Sequence, residues 1–254
     1  MHAESSASRA ESELSVRISA AAEAAHLGRH QATYPVGMPS WTKLWGSALA
    51  TAFFVAVAIA GVLTGEAGIA VIIGGFVALP LTLRLLLVVA RGMRHQSKYR
   101  GARLDLYQHG LIQVQHDRVR TVRYDTTTMF QVLDHYYLTD TIGQRVELTK
   151  AFSDQQLWVR AIEEAVVSAR LAPALAALEA GQRVEFGKIW VSAAEVGDEK
   201  SSAPWTQVDD IGARASVVGI GVKGKRIRPY YQAMSEFPNL CVFYALAERL
   251  RRST

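Results

Sequence analysis

Two apolar runs free of charge, Leu44 to Thr64 and Ala67 to Leu83, are separated only by Gly65 and Glu66. A helix needs about 20 apolar residues to cross a hydrocarbon core of about 30 Å. The first run has that length, and the second reaches it if Arg84 snorkels and the helix continues through Leu85 to Ala90. The pattern predicts a transmembrane helical hairpin in segment 41–95, with helices about 43–64 and 67–90. Positive residues favour the cytoplasmic side of a membrane. Arg29, His30 and Lys43 precede the hairpin, Arg84, Arg91, Arg94, Lys98, Arg100 and Arg103 follow or end it, and the turn carries only Glu66. The expectation is therefore a multi-pass protein of the cell (plasma) membrane with both termini cytoplasmic. Trp41 and Trp45 suit an aromatic belt at that interface. The rival is a buried hairpin of a soluble protein, but two long runs with no polar face are hard to bury in so small a chain.

Small residues mark one stripe of each run: Ala48, Ala52, Ala56 and Ala60 on the first, Ala70, Gly74 and Ala78 on the second. This spacing lets helices approach closely, and a single hairpin interface uses both stripes. Pro80 is expected to kink the second helix. Arg84 has no second intramembrane charge to pair with, which argues against transport. A secretory signal peptide fits poorly, because some forty polar residues precede the first run. With one cysteine, Cys241, the chain has no intrachain disulfide framework.

Residues 1–40 read as a polar N-terminal tail, partly helical or disordered, with a weak apolar stripe of Leu14, Ile18, Ala21, Ala22 and Ala25. Gly28 stops the helix, and Pro35 to Pro39 form a rigid lead into the hairpin. From about Tyr99 the pattern alternates. Leu104, Leu106, a His109-Gly110 turn, then Ile112 and Val114 predict a β-hairpin, with strands after it near 121–124, 129–133, 136–139 and 145–149. Ser153 with Gln156 has the spacing of a capping box, opening a helix to about Leu171, and Pro173 starts a short second helix to Ala180.

The order of elements then recurs. Val184, Phe186, Gly187, Ile189 and Val191 resemble the first hairpin, Trp205 stands where Tyr124 stood, and Phe237-Pro238-Asn239 repeats Phe152-Ser153-Asp154 before a helix. That last helix ends in Arg249, Arg251 and Arg252, which complement its dipole. The division is a first unit at 99–172, a helical linker at 173–181 and a second unit at 182–254.

Strands closed by one amphipathic helix resemble a pleckstrin-homology-like (PH-like) domain. The layout as a whole resembles an uncharacterised family of bacterial two-span membrane proteins with a cytoplasmic PH-like region. That resemblance rests on Leu27-Gly28, Tyr34-Pro35, the stretch from Leu106 to Val114, Arg123-Tyr124-Asp125, Pro204-Trp205-Thr206 and Phe237-Pro238-Asn239. It implies an α+β membrane protein, a two-helix transmembrane hairpin followed by two tandem PH-like units, and no assigned activity.

Gly219-Ile-Gly221-Val-Lys-Gly224 matches the dinucleotide fingerprint in letters, but Lys225 to Pro229 is a poor helix start. Alternating Val217, Gly219 and Gly221 reads instead as a strand entering a turn at Lys223-Gly224. Histidines 95, 109, 116 and 135 lack the short spacings of metal ligands, so no metal and no cofactor is expected. Asp134-His135 with Asp140, and Asp209-Asp210, have no nucleophile or oxyanion hole near them in sequence. Cys241 reads as buried core. The positive signal is basic: Lys223, Lys225, Arg226 and Arg228 on one predicted hairpin, with Arg118, Arg120 and Arg123 alternating in the first unit. In a chain of net charge +5, these four are the candidate lipid-binding residues, and PH-like domains often bind headgroups this way. The functional expectation is a non-enzymatic lipid-headgroup or protein interaction module presented at the cytoplasmic face by an integral membrane protein. The alternative is an accessory subunit of a membrane enzyme or transporter complex. Partners are membrane lipids and an unknown protein, nucleic acid is not expected, and oligomeric state is left open.

Overall fold

A computed structural model describes residues 2–37, 41–65, 68, 77, 79–99 and 101–253. The chain divides into two compact units, one made of Met1–Pro35 with Ala102–Thr254 and the other of Val36–Gly101. The first begins with helix α1 (His2–Ala24) and strand β1 (His30–Pro35). After the intervening segment come β2 (Arg103–Tyr107), β3 (Gly110–Gln115), β4 (Arg118–Arg123), β5 (Phe130–Val132), β6 (His135–Thr139) and β7 (Arg145–Leu148). Pairing is antiparallel throughout, in a sheet of order β1-β2-β3-β4 and a sheet of order β5-β6-β7. Helix α4 (Gln155–Glu179) closes this half.

The second half repeats that order. Strands β8 (Val184–Phe186), β9 (Ile189–Val191), β10 (Glu195–Gly197) and β11 (Ser202–Pro204) form one sheet. Strands β12 (Val208–Arg214), β13 (Val217–Val222) and β14 (Tyr230–Ala233) form the other, and helix α5 (Leu240–Arg252) comes last. Each half buries the same kinds of anchor. Tyr124 and Trp205 sit just past the four-stranded sheets, and Phe152 and Phe237 just before the helices, all buried. In the first half Trp158 meets Tyr136 edge-on at 5.8 Å. In the second, Phe186, Phe237 and Phe243 cluster with centroids 4.9–6.1 Å apart.

The helices begin in the same unusual way. Asp154 and Asn239 hold φ of 52° and 50°, the left-handed region that Asn and Asp tolerate better than other side chains. The expected capping box at Ser153 and Gln156 does not form, because Asp154 occupies the cap position and makes no side-chain cap bond. Nor does Pro173 divide the helix. It lies inside α4, which runs unbroken from Gln155 to Glu179.

In the other unit, helices α2 (Trp41–Leu63) and α3 (Leu79–Lys98) contact each other. Leu49, Phe53, Ile59, Leu63, Leu79 and Leu83 stay exposed. Glu66 and most of the second apolar run, with Ala70, Gly74 and Ala78, lie outside the described residues. Among the described residues no helix is long and apolar enough to cross a membrane. In sequence, α2 opens on Thr42 and Lys43 and dilutes its large side chains with Gly46, Ser47, Thr51 and alternating alanines, while α3 carries Arg84, Arg91, Arg94 and Lys98.

This finding corrects several expectations together: the two-span hairpin and the resemblance to two-span membrane proteins, the α+β membrane fold class, the plasma-membrane localisation with both termini cytoplasmic, and the integral-membrane function with its accessory-subunit alternative. In their place stands a protein of mostly antiparallel sheets with, among the described residues, five α-helices. The first sheet does not simply come after the helical segment, because β1 lies upstream of it and pairs with β2 downstream, Thr33 opposite Asp105 and Tyr34 opposite Leu104.

Candidate functional site

The predicted basic hairpin exists as β13 and β14, and its glycines have a packing role. A side chain at Gly219 would run into Arg228 Cδ, and one at Gly221 into Asp210. The glycines thus leave a flat strand on which Arg228 lies, ion-paired to Asp210 and donating from Nη1 to Gly212 O at 3.0 Å. The dinucleotide fingerprint is a strand and a turn: Gly224 holds φ of 77°, and Lys225 N donates to Val222 O at 3.0 Å.

The structure therefore separates the four candidate basic residues. Arg228 is engaged internally, and Lys223 Nζ donates to Thr206 O at 2.9 Å. Lys225 and Arg226 are exposed, with no internal partner among the described residues. Ile227, beside them, is 81% exposed. In the first half Arg120 and Arg123 are spent structurally, whereas Arg118 is exposed. Arg123 forms a bidentate pair with Asp125 and also donates to Ala25 O, and Arg120 donates to Arg145 O at 2.8 Å.

Of the imagined acid–base groups, Asp140, His135 and Asp210 are paired within the fold, while Asp134 and Asp209 lie exposed at the surface. Asp140 accepts from Ile142 N and Gln144 N in a turn. His135 Nδ1 lies 2.7 Å from Glu147 Oε1, and Arg145 stacks over Tyr137 at 3.6 Å. His116 belongs to the β3–β4 turn with φ of 50°. Arg84 is exposed, and Glu66, its imagined counterpart, lies outside the described residues.

One cluster escapes the sequence reading. Asp105 is fully buried and accepts from Arg103 Nε and Nη2 at 2.7 and 2.6 Å and from Thr33 Oγ1 at 2.5 Å, with His30 Nε2 at 3.4 Å. The hydrogen bonds from its own guanidinium to Asp105 raise the Arg103 pKa above its ordinary value. In a Ser-His-Asp relay the hydroxyl and the carboxylate meet opposite ring nitrogens. Here Nε2 faces both, 3.0 Å from Thr33 Oγ1, and the hydroxyl already donates to the carboxylate. The cluster satisfies a buried charge and does not activate a nucleophile. Only the alternation of His30 to Pro35 could have pointed to it, by marking a strand.

Where α4 meets α5, burial, with a smaller contribution from Glu163, pushes the Cys241 thiol up to about 12, so it stays protonated at neutral pH. Tyr136 is raised to about 12, by burial first and Glu163 next. Burial also raises Glu163 itself above its ordinary 4.5. The folded state then holds the proton more tightly than the unfolded one. Its stabilising effect is complete below 4.5 and is lost as pH rises through the folded value. Glu163→Gln should accordingly stabilise the protein by about 0.5 kcal/mol at pH 7, small because the half-buried carboxylate is partly screened by solvent. Denaturant titrations at pH 7 and pH 4 check this, with the gain expected to shrink at the lower pH.

Among the described residues no group of three or more His, Cys, Asp or Glu could hold a metal ion. No curated protein and no solved structure matches the chain. The family model of DUF6585 matches residues 12–254, nearly the whole sequence and both sheet-bearing halves, and the chain belongs to this family of unknown function.

Proposed function

We propose that the protein is a non-enzymatic binding protein that recognises clustered phosphate through the tip of its β13–β14 hairpin. The observation that carries this reading is the contrast within one basic stretch. Arg228 and Lys223 are tied to the fold, whereas Lys225 and Arg226 project into solvent beside Ile227. Two unpaired cations on a tight turn form a compact positive patch, and an anion meeting them displaces no internal ion pair. The internal pairing of Asp105, Asp140, Asp210 and Glu147 supports the non-enzymatic half of the reading, because each carboxylate is committed to positioning the chain.

Phosphate of this kind occurs in soluble polyphosphates and in anionic lipid headgroups, and the experiment separates the two. The full chain is titrated with inositol hexakisphosphate, and in parallel with phosphatidylcholine vesicles containing or lacking phosphatidylserine. The proposal expects salt-sensitive binding of the soluble anion, of the phosphatidylserine vesicles in excess of the neutral ones, or of both. The double variant Lys225→Glu with Arg226→Glu should weaken that binding about 30-fold, near 2 kcal/mol, without changing the melting temperature. Equal binding by the variant and the wild type, or no anion-dependent binding at all, would overturn the proposal.

A further inference from the structure

Helix α1 covers the outer face of the first sheet through its second half. Among the described side chains of α1, residues 11–24, Ile18, 3% exposed, and Ala22 are buried in the cluster with Leu27, Tyr107, Ile112 and Val114, while Leu14, Ala21 and Ala25 pack at its margin. By contrast α4 buries Trp158, Ile162 and Val166, and α5 buries Leu240, Val242, Phe243 and Leu246. Stabilisation by burial scales with the apolar area removed from water, so the described part of α1, residues 11–24, is less secured than α4 or α5.

Two polar tethers add to the seat. Arg17 Nη2 donates to Asp117 O at 2.7 Å, and Arg123 Nη1 donates to Ala25 O at 3.0 Å. An open groove of about 400 Å³ runs along one flank, between Ser15, Ser19 and Glu23 on the helix and His30, Arg103 and Tyr107 on the sheet. The joint to β1 is short and passes through His26 and Gly28, with φ of 52° and 76°. Both residues are in the left-handed region, which a non-glycine such as His26 holds only at a cost that opening of the joint would relieve.

We propose that α1 is a strap that opens from the first sheet as one unit while both halves stay folded, and so controls access to the apolar face of Tyr107, Ile112 and Val114. The polar groups His30 and Arg103 then border the uncovered face. Weakly packed elements open locally at free energies well below that of global unfolding.

Amide hydrogen exchange of the full chain, monitored by mass spectrometry, tests this. The amides of residues 11–24 should exchange together, about 100-fold faster than those of β6 and β13. Ile18→Ala should speed α1 a further 30-fold or so and leave β6 and β13 unchanged. The milder Arg17→Ala should raise α1 exchange a few-fold, again alone. If α1 and the strands exchange at one common rate, and both variants accelerate all of them alike, α1 belongs to the cooperative core and is not a strap.

Discussion

Gly110→Ala is expected to destabilise the protein by about 2–4 kcal/mol, although it adds a single methyl group. The position is where three pieces of chain meet. Gly110 opens β3 opposite Arg123 of β4, and a Cβ there would fall on Val122 O and lie 2.6 Å from Leu27 Cδ2. Neither neighbour can yield easily. Val122 O is backbone within the β3–β4 pairing, and Leu27 is fully buried, with its carbonyl accepting from His109 N at 2.9 Å. Room for the methyl comes only from spreading the sheet or lifting the α1–β1 joint, and either breaks hydrogen bonds. Gly212→Ala is the control, since its Cβ would meet only Arg228 guanidinium nitrogens at 3.7 Å or more. It should change stability by about 0.5 kcal/mol or less. Denaturant unfolding of both variants checks the pair, and equal effects would mean that the contact at Val122 is not tight.

Asn239 is the second sensitive position, because it does two things at once. Its left-handed backbone starts α5, and its side chain joins the halves: Met129 N donates to Asn239 Oδ1 at 2.9 Å, and Asn239 N donates back to Met129 O at 2.8 Å. Asn239→Gly keeps the backbone at ease and leaves the buried Met129 N–H without its acceptor, a loss of about 1–3 kcal/mol. Asn239→Ala adds left-handed strain of about 1 kcal/mol to that loss. Denaturant unfolding of the two variants therefore separates the bond between halves from the strain at the helix start. If Ala and Gly cost the same, the strain term is absent. If Gly costs nothing, the Met129 bond does not join the halves.

Most strands were legible from apolar side chains at alternate positions, although β2 and β3 bury both faces, with Asp105, Leu111 and Gln113 inside as well. Leu104, Leu106, Ile112 and Val114 are all buried, as their alternation requires. The paired anchors Tyr124 with Trp205 and Phe152 with Phe237 were legible too, since large aromatics at matched positions need matched cavities. The pairing of β1 was not. A six-residue strand ending in Pro35 reads as a lead into the helical segment, and its partner lies beyond the whole of Val36–Gly101. Periodicity carries no information about which distant strand completes a sheet. Matching the β8–β9 turn to the β2–β3 turn placed the repeat one strand out of step, since in sheet order β8 corresponds to β1.

The basic hairpin was legible as a cluster of charge, but the division of labour within it was not. Asp210 and Gly212, which hold Arg228, sit on a neighbouring strand that only the fold brings alongside. The apolar runs misled in another way. Their length suggested spans, while the described helices place Arg84, Arg91, Arg94 and Lys98 on the continuation of the second.

The most direct measurement is a two-dimensional amide NMR titration of the full chain with inositol hexakisphosphate. The binding proposal predicts shifts concentrated at Lys223 to Arg228 and at Thr206 and Gln207 beneath them, saturating together and fading as salt rises. Shifts centred elsewhere, such as on His109 and Arg123, would contradict it, as would no shifts at millimolar ligand together with no excess binding to phosphatidylserine vesicles.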